Sequence, residues 1–224
     1  MSSQENNIDL YIDINHVWQL DPENELPLKI GKEICAIACM KMLIDYLPPK
    51  SDNTIKLSEI RDWLLARNGQ NESGNWIHSK QVEYLKLLGY ISWRRNWNLT
   101  QNDVKWLEDN EGYDKVQIEQ FNAQLEFEKN STNKIDLVIR DFIEIFRKKS
   151  AVIASVRTGF KSDGDFHQVV VNGYIKDQSG EYFYISDPML SNEQNSRQNK
   201  IEIEKFFRFF NNTAIFALPT QQAD

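Results

Sequence analysis

Apolar residues recur at helical spacing through the first two-thirds of the chain, then give way to short runs and alternation. In residues 33–47, EICAIACMKMLIDYL, one stripe carries Cys35, Cys39, Met42 and Tyr46, and the next carries Ala36, Met40, Leu43 and Leu47. Lys41 and Asp45 form an i,i+4 pair facing water, and Pro48-Pro49 stops the helix. Residues 58–67 predict a second helix with Ser58 as its cap. Residues 79–88 predict a third, with Val82, Leu85 and Leu88 on one face and Gly89 just past its end. Thr100 is placed to cap a short helix carrying Val104 and Leu107, whereas 111–130 is polar and ambiguous. Ile135, Val138, Ile139, Phe142 and Phe146 mark a helix over 134–149, with Arg147, Lys148 and Lys149 at the end that suits the dipole.

The period changes at residue 151. AVIASVR (151–157) is a short run rich in β-branched residues, and TGFKSDGD (158–165) reads as a turn or mobile loop. FHQVVVNGYI (166–175) reads as a strand, DQSG (177–180) as a hairpin turn and EYFYISD (181–187) as the returning strand, which Pro188 ends. Residues 189–199 form a polar loop. IEKFFRFF (203–210) predicts a short amphipathic helix and AIFALP (214–219) a closing strand. Helices first and an antiparallel sheet after predict an α+β fold. Residues 1–8 and 219–224 read as flexible tails around a single domain at 9–218, with no linker-like shift between.

Composition narrows the function. The chain has 224 residues, 41% hydrophobic and 12% aromatic, enough for one sizeable core. Its net charge of −7 argues against nucleic acid, whose phosphates need a basic footprint. Residues 1–34 carry seven acidic side chains against two lysines, which is −5 of that total. This is a solvated acidic face, or one that attracts a basic peptide. No apolar run approaches the roughly 20 residues of a membrane helix, and the N-terminus lacks the pattern of a signal peptide. Two cysteines four apart make no disulfide scaffold, so both are expected as thiols, which points to a cytoplasmic chain.

Cys35 falls in the first turn of its predicted helix, where free N–H groups and the dipole stabilise a thiolate. A thiolate nucleophile needs an imidazole, and the imidazole needs an orienting partner. Of three histidines, His167 lies near the start of a strand, and the next strand ends in Asp187-Pro188. Neighbouring antiparallel strands bring the two to one end of the sheet if the register permits. Zinc is disfavoured, because Cys35, Cys39 and one distant histidine fall short of four ligands. SDGD lacks the remaining ligands of a calcium loop. His78 reads as a surface residue and His16 as a packing residue. Trp63, Trp76, Trp93, Trp97 and Trp106 read as core, and Trp18 as a neighbour of a peptide groove.

These segments resemble the C39-like cysteine peptidases. GKEICAIACMKML is similar to the family's nucleophile segment, FHQVVVNGY to its histidine strand and YISDP to the strand ending in Asp-Pro. HVWQLD is similar to its upstream glutamine segment, and LSEIRDWL and GNWIHSKQVEYLKLLGY to its intervening helices. The resemblance spans about residues 14–217. It implies a papain-like fold, a helical half packed on an antiparallel β-sheet, that needs no cofactor or metal. It implies Cys35 as nucleophile, His167 as general base and acid, Asp187 as its orienting carboxylate, and Gln19 with the Cys35 backbone N–H as oxyanion donors. The partner implied is a peptide or protein substrate. Two departures stand out. Ala36-Ile37 replaces the family's Gly-Pro, which places a bulkier side chain near the site, and the stretch from Gln19 to Cys35 is long enough to cover a cleft. No P-loop or membrane segment accompanies the domain, so the chain is not a complete exporter. A catalytically silent peptide-binding module on the same fold and an acyltransferase using the same triad remain alternatives.

Overall fold

The computed structural model describes residues 7–21, 34–47, 54–97, 134–191 and 199–220, together with 105, 115, 116, 118, 119, 122 and 123. The elements run β1 (Ile8–Tyr11), α1 (Cys35–Tyr46), α2 (Leu57–Leu65), α3 (His78–Leu87), β2 (Tyr90–Asn96), α4 (Lys134–Arg147), β3 (Val152–Arg157), β4 (Phe166–Asp177), β5 (Gly180–Ser186), β6 (Lys200–Glu202), α5 (Ile203–Phe209) and β7 (Phe210–Pro219). Among the described residues seven strands form one antiparallel sheet in the order β2-β7-β3-β4-β5-β6, with β1 also on β4. This is the expected α+β arrangement.

Helix α1 is the hub. Ala36 to Met40 and Met42 to Ile44 are all buried, so the helix packs on every side rather than along one stripe. It lies against β4, where the Cys39 thiol donates to the Gln168 backbone oxygen at 3.3 Å. On α4, Phe142 is fully buried among the rings of Trp97, Phe183, Phe206, Phe210 and Phe216, with centroids 5.4–6.3 Å away. Truncating such a residue typically costs about 3–5 kcal/mol, so this aromatic cluster is what fastens α4 and α5 to the sheet.

Some expectations need correction. Ser58 is not the cap of α2: Lys56 holds that place and no side chain caps it. Strands β1, β2 and β6 lie where no strand was expected. Trp97 is 1% exposed, whereas Trp63, Trp76 and Trp93 pack on the core only in part. The turn at 158–165 is a built connection: Thr158 N–H donates to the Asp165 oxygen at 2.9 Å and Arg157 to the Gly164 oxygen at 3.1 Å. The expected helix at Thr100, Trp106, the two prolines 48–49 and the stretch between Gln19 and Cys35 lie largely or wholly outside the described residues.

One close approach decides where the N-terminal segment runs. β1 pairs with the outer half of β4, opposing Tyr11 to Gly173. A Cβ on Gly173 would lie 2.3 Å from the Leu10 oxygen and 2.8 Å from Tyr184 Cδ2, so only glycine admits the strand. Past that crossing, Ile12 N–H donates to the Asn172 oxygen at 2.8 Å. The chain then continues along the sheet toward Gln19.

Candidate active site

The β4–β5 register pairs Val170 with Ser186. Position 187 therefore falls opposite 169, and His167 lies diagonally across on the same face, within reach of a polar side chain. His167 Nε2 and Asp187 Oδ1 are 2.7 Å apart, at 4% and 7% exposure. Pro188 ends the strand here, and the turn it makes holds the carboxylate: Met189 N–H donates to the same Oδ1 at 2.9 Å, and Leu190 N–H to the Asp187 backbone oxygen at 3.0 Å. Since Nε2 is taken by Asp187, Nδ1 is the ring nitrogen left to interact with Cys35, which helps to raise the imidazole.

Cys35 is the first residue of α1 and a free thiol, half-buried. The first intrahelical bond runs from Ala38 N–H to the Ile34 oxygen at 2.9 Å. Among the described residues the first turn carries no acidic side chain and no side-chain cap. One turn further in, Cys39 is fully buried, and burial pushes its thiol well above the ordinary range. The neighbouring charges of Cys35 and Asp187 push the same way.

Burial disfavours charge on His167. The hydrogen bonds to Asp187 and Cys35, and the charges on both, outweigh it and raise the imidazole to about 10. Gln19 reaches the same end of the sheet by a backbone bond from its N–H to the Pro188 oxygen at 2.9 Å. It is 2% exposed, and among the described residues its Oε1 has no hydrogen-bond partner. The structure bonds His167 to Asp187, places Cys35 within electrostatic reach of the same imidazole, and ties Gln19 to the residue next to Asp187. Trp18 is half-buried beside Gln19.

Sequence reasoning missed a second polar cluster and misread one of its members. His78 is not a surface residue. Its Nε2 lies 2.8 Å from Ser155 Oγ and 3.1 Å from Gln168 Nε2, and burial, with Arg94 nearby, lowers it to about 3. Gln168 follows His167 on β4, so strand alternation sends it to the other face, which is a signal that was there to read. Nothing local marks His78. His16 is held by the Leu190 oxygen, 2.8 Å from its Nε2.

A profile of the Peptidase_C39 like family matches residues 11–215, and the chain belongs to that family. Three solved structures are similar to it. One is a double glycine motif protease from an AMS/PCAT transporter in complex with the leader peptide: 15% identity, 95% of this chain and 99% of that one covered, TM-score 0.46. Another is the peptidase domain of Streptococcus ComA, a bi-functional ABC transporter involved in a quorum sensing pathway: 15% identity, 92% and 98% covered, TM-score 0.48. A Bacillus anthracis protein described as a C39-like peptidase matches at 14% identity over 96% and 100%, TM-score 0.51. The fold is that of the C39-like peptidases, which is papain-like. No curated protein matches the chain. Among the described residues no helix is long and apolar enough to cross a membrane, and no group of three or more His, Cys, Asp and Glu is placed to hold a metal ion.

Proposed function

We propose that the chain is a cysteine peptidase that cuts a peptide bond with Cys35, His167, Asp187 and Gln19. The observation that carries this reading is the buried His167–Asp187 bond of 2.7 Å, made by an imidazole that Cys35 also helps to raise. An imidazole raised to about 10 is protonated at neutral pH, so it pairs with a thiolate. In that pair the thiol proton already rests on Nδ1, and the thiolate attacks the substrate carbonyl carbon. The oxyanion takes hydrogen bonds from the Gln19 side-chain amide and the Cys35 backbone N–H. His167 then gives its proton to the leaving amine. A water, deprotonated by the same imidazole, attacks the thioester, and the acid product leaves with Cys35 restored. Asp187 holds the ring in the orientation that both transfers need. A peptide substrate agrees with the leader peptide bound by the transporter protease named above.

The test is the pH dependence of iodoacetamide labelling, read by mass spectrometry, in the wild type and in His167→Ala. Cys35 is expected to label readily at neutral pH and to lose most of that reactivity without His167. Cys39, buried and held protonated, is the internal control and stays unlabelled in the folded chain. Ordinary thiol behaviour at Cys35 in both proteins would end the peptidase reading. Cleavage of a peptide library by the wild type, with Cys35→Ala as the blank, then reads the reaction itself.

A further inference from the structure

The segment after β1 carries the proposed oxyanion donor, and a short series of bonds sets its path. Ile12 and Ile14 are buried in the core. Ile12 is tied twice to Asn172: its N–H donates to the Asn172 oxygen at 2.8 Å, and its own oxygen accepts from Asn172 Nδ2 at 2.9 Å. Val17 adds partial packing on the core. Further along, the segment meets the turn that follows β5, and two carbonyl oxygens of that turn receive it. The Pro188 oxygen accepts the Gln19 N–H at 2.9 Å, and the Leu190 oxygen accepts from His16 Nε2 at 2.8 Å. Two contacts at separate points fix the orientation of the segment as well as its distance.

The turn is the firmer partner. Leu190 N–H closes it on the Asp187 oxygen at 3.0 Å, Met189 N–H donates to Asp187 Oδ1 at 2.9 Å, and just before it Ile185 N–H donates to the Asn199 oxygen at 3.0 Å. On the segment's side the Gln19 bond comes from the backbone, and any residue but proline at 19 could make it. His16 supplies a side-chain bond, so residue 16 is where the sequence controls how the segment sits. A carbonyl oxygen only accepts, so the ring proton is on Nε2. Nδ1 is buried and has no hydrogen-bond partner among the described residues. A leucine would fill the same space without that penalty, so packing alone does not explain a histidine, whereas the Nε2 bond does. We propose that His16 is a positioning residue: by bonding the Leu190 oxygen it holds the segment against the Asp187 turn and so sets where the Gln19 amide stands. The consequence for catalysis rests on the peptidase reading; the placement of Gln19 does not. A shift of about 1 Å at such a donor can cost on the order of 10²-fold in rate, so one bond is enough to matter.

Two readouts separate placement from chemistry. The first is hydrogen exchange at the Gln19 amide, followed by NMR. The second compares two reagents at Cys35. With p-nitrophenyl acetate the sulfur takes the acetyl group through a tetrahedral oxyanion and p-nitrophenolate leaves, whereas iodoacetamide alkylates by displacement of iodide and forms no oxyanion. In His16→Leu, exchange at Gln19 should quicken about tenfold or more while Val170 on β4 stays protected. Acylation of Cys35 should fall about tenfold or more, with alkylation unchanged. His16→Gln places an amide nitrogen as many bonds from Cβ as the histidine Nε2 and should restore most of both. His16→Asn is one bond shorter and should not; it replaces the leucine variant if melting shows that chain to be unfolded. In Gln19→Ala, where the donor is already gone, adding His16→Leu should lower acylation no further. Unchanged exchange at Gln19 in a folded His16→Leu chain would overturn the proposal. So would a glutamine that fails to rescue, or losses from His16→Leu and Gln19→Ala that multiply. Failure of the peptidase reading looks different: Cys35 then acylates no faster in the wild type than in Gln19→Ala, while exchange at Gln19 still follows residue 16, which keeps the placement and removes the donor role.

Discussion

Asp187→Ala should erase the alkaline limb of the stability profile, and the structure sets its size. His167 and Asp187 are 4% and 7% exposed, so solvent screens their bond little. An unperturbed histidine titrates near 6.5, and this one is raised to about 10. Below about 6.5 folded and unfolded chains both hold the proton, and the contribution is fully present. Above that value the unfolded chain releases a proton that the folded chain keeps. The unfolding free energy then falls by up to about 1.4 kcal/mol per pH unit. The contribution is gone once pH passes the folded value. The whole interval is worth on the order of 5 kcal/mol. Cys35 also helps to raise this imidazole, so the comparison belongs in a Cys35→Ser chain. The limb is shorter there, because that share is lost, but the Asp187 bond remains the largest favourable contribution. Urea unfolding followed by tryptophan fluorescence, between about pH 6 and 9, gives the slope while staying below the tyrosine range of about 10. In Cys35→Ser/Asp187→Ala the descent should vanish, with a loss of about 3–5 kcal/mol near neutral pH that shrinks as pH rises. Burial is then unopposed, so His167 joins His16 and His78, both lowered by burial, in weakening the fold as pH falls below about 6.5. Parallel profiles for the two chains, separated by a constant amount, would refute the coupling.

Three further substitutions test other parts of the structure. Gln19→Ala should lower kcat about 10²–10³-fold with little change in KM, while leaving iodoacetamide labelling of Cys35 intact, which separates an oxyanion donor from a residue that shapes the thiol. Gln81 is fully buried with both side-chain polar atoms unpartnered, so Gln81→Met should raise the unfolding free energy by about 1–3 kcal/mol, measured by urea titration; a loss would show that the amide has a partner after all. Gly173→Ala drives a methyl into the Leu10 backbone oxygen, so β1 should detach, with fast hydrogen exchange at Ile12 and a cost of about 1–3 kcal/mol; a protected amide there would refute it.

What could be read from the sequence divides by how far each residue lies from its partners. The β4–β5 hairpin is legible because its turn is local: Asp177 Oδ1 accepts the Ser179 N–H at 2.7 Å, and alternation on both sides does the rest. Helix α1 is legible because its apolar positions recur within the segment itself. Strand β1 has four residues and gains its identity from β4, some 160 positions later, so nothing near Ile8 announces it. Strand β2 is similar: Trp93 and Arg94 alternate with their neighbours, but they become a strand by pairing with Phe216 and Ile215. His78 was misread for the same reason. A polar residue opening a helix looks solvated until Ser155 and Gln168 arrive from two strands of the sheet. His167 and Asp187 are twenty apart on one hairpin, so strand parity alone puts them on one face.

The Ala36-Ile37 departure bears on whether the site is used or vestigial. Read along the chain, an isoleucine two residues after the proposed nucleophile crowds the groove. In the fold Ala36 is 1% exposed and Ile37 0%, so both side chains face the core and neither occupies the space in front of Cys35. The substitution is therefore a packing change beneath the site. The energetics of the remaining groups favour use over relic. A buried histidine–carboxylate pair must recover the desolvation of both partners, and an apolar pair of similar volume is often as stable or more so. Gln19 adds a buried amide oxygen with no partner among the described residues, a further cost of about 1–3 kcal/mol. A module that only holds peptides needs none of these groups, and drift toward apolar replacements would raise its stability. A thiol hydrolase needs all of them: the carboxylate to hold the imidazole, the imidazole to move the proton, and an amide whose geometry improves only when an oxyanion forms.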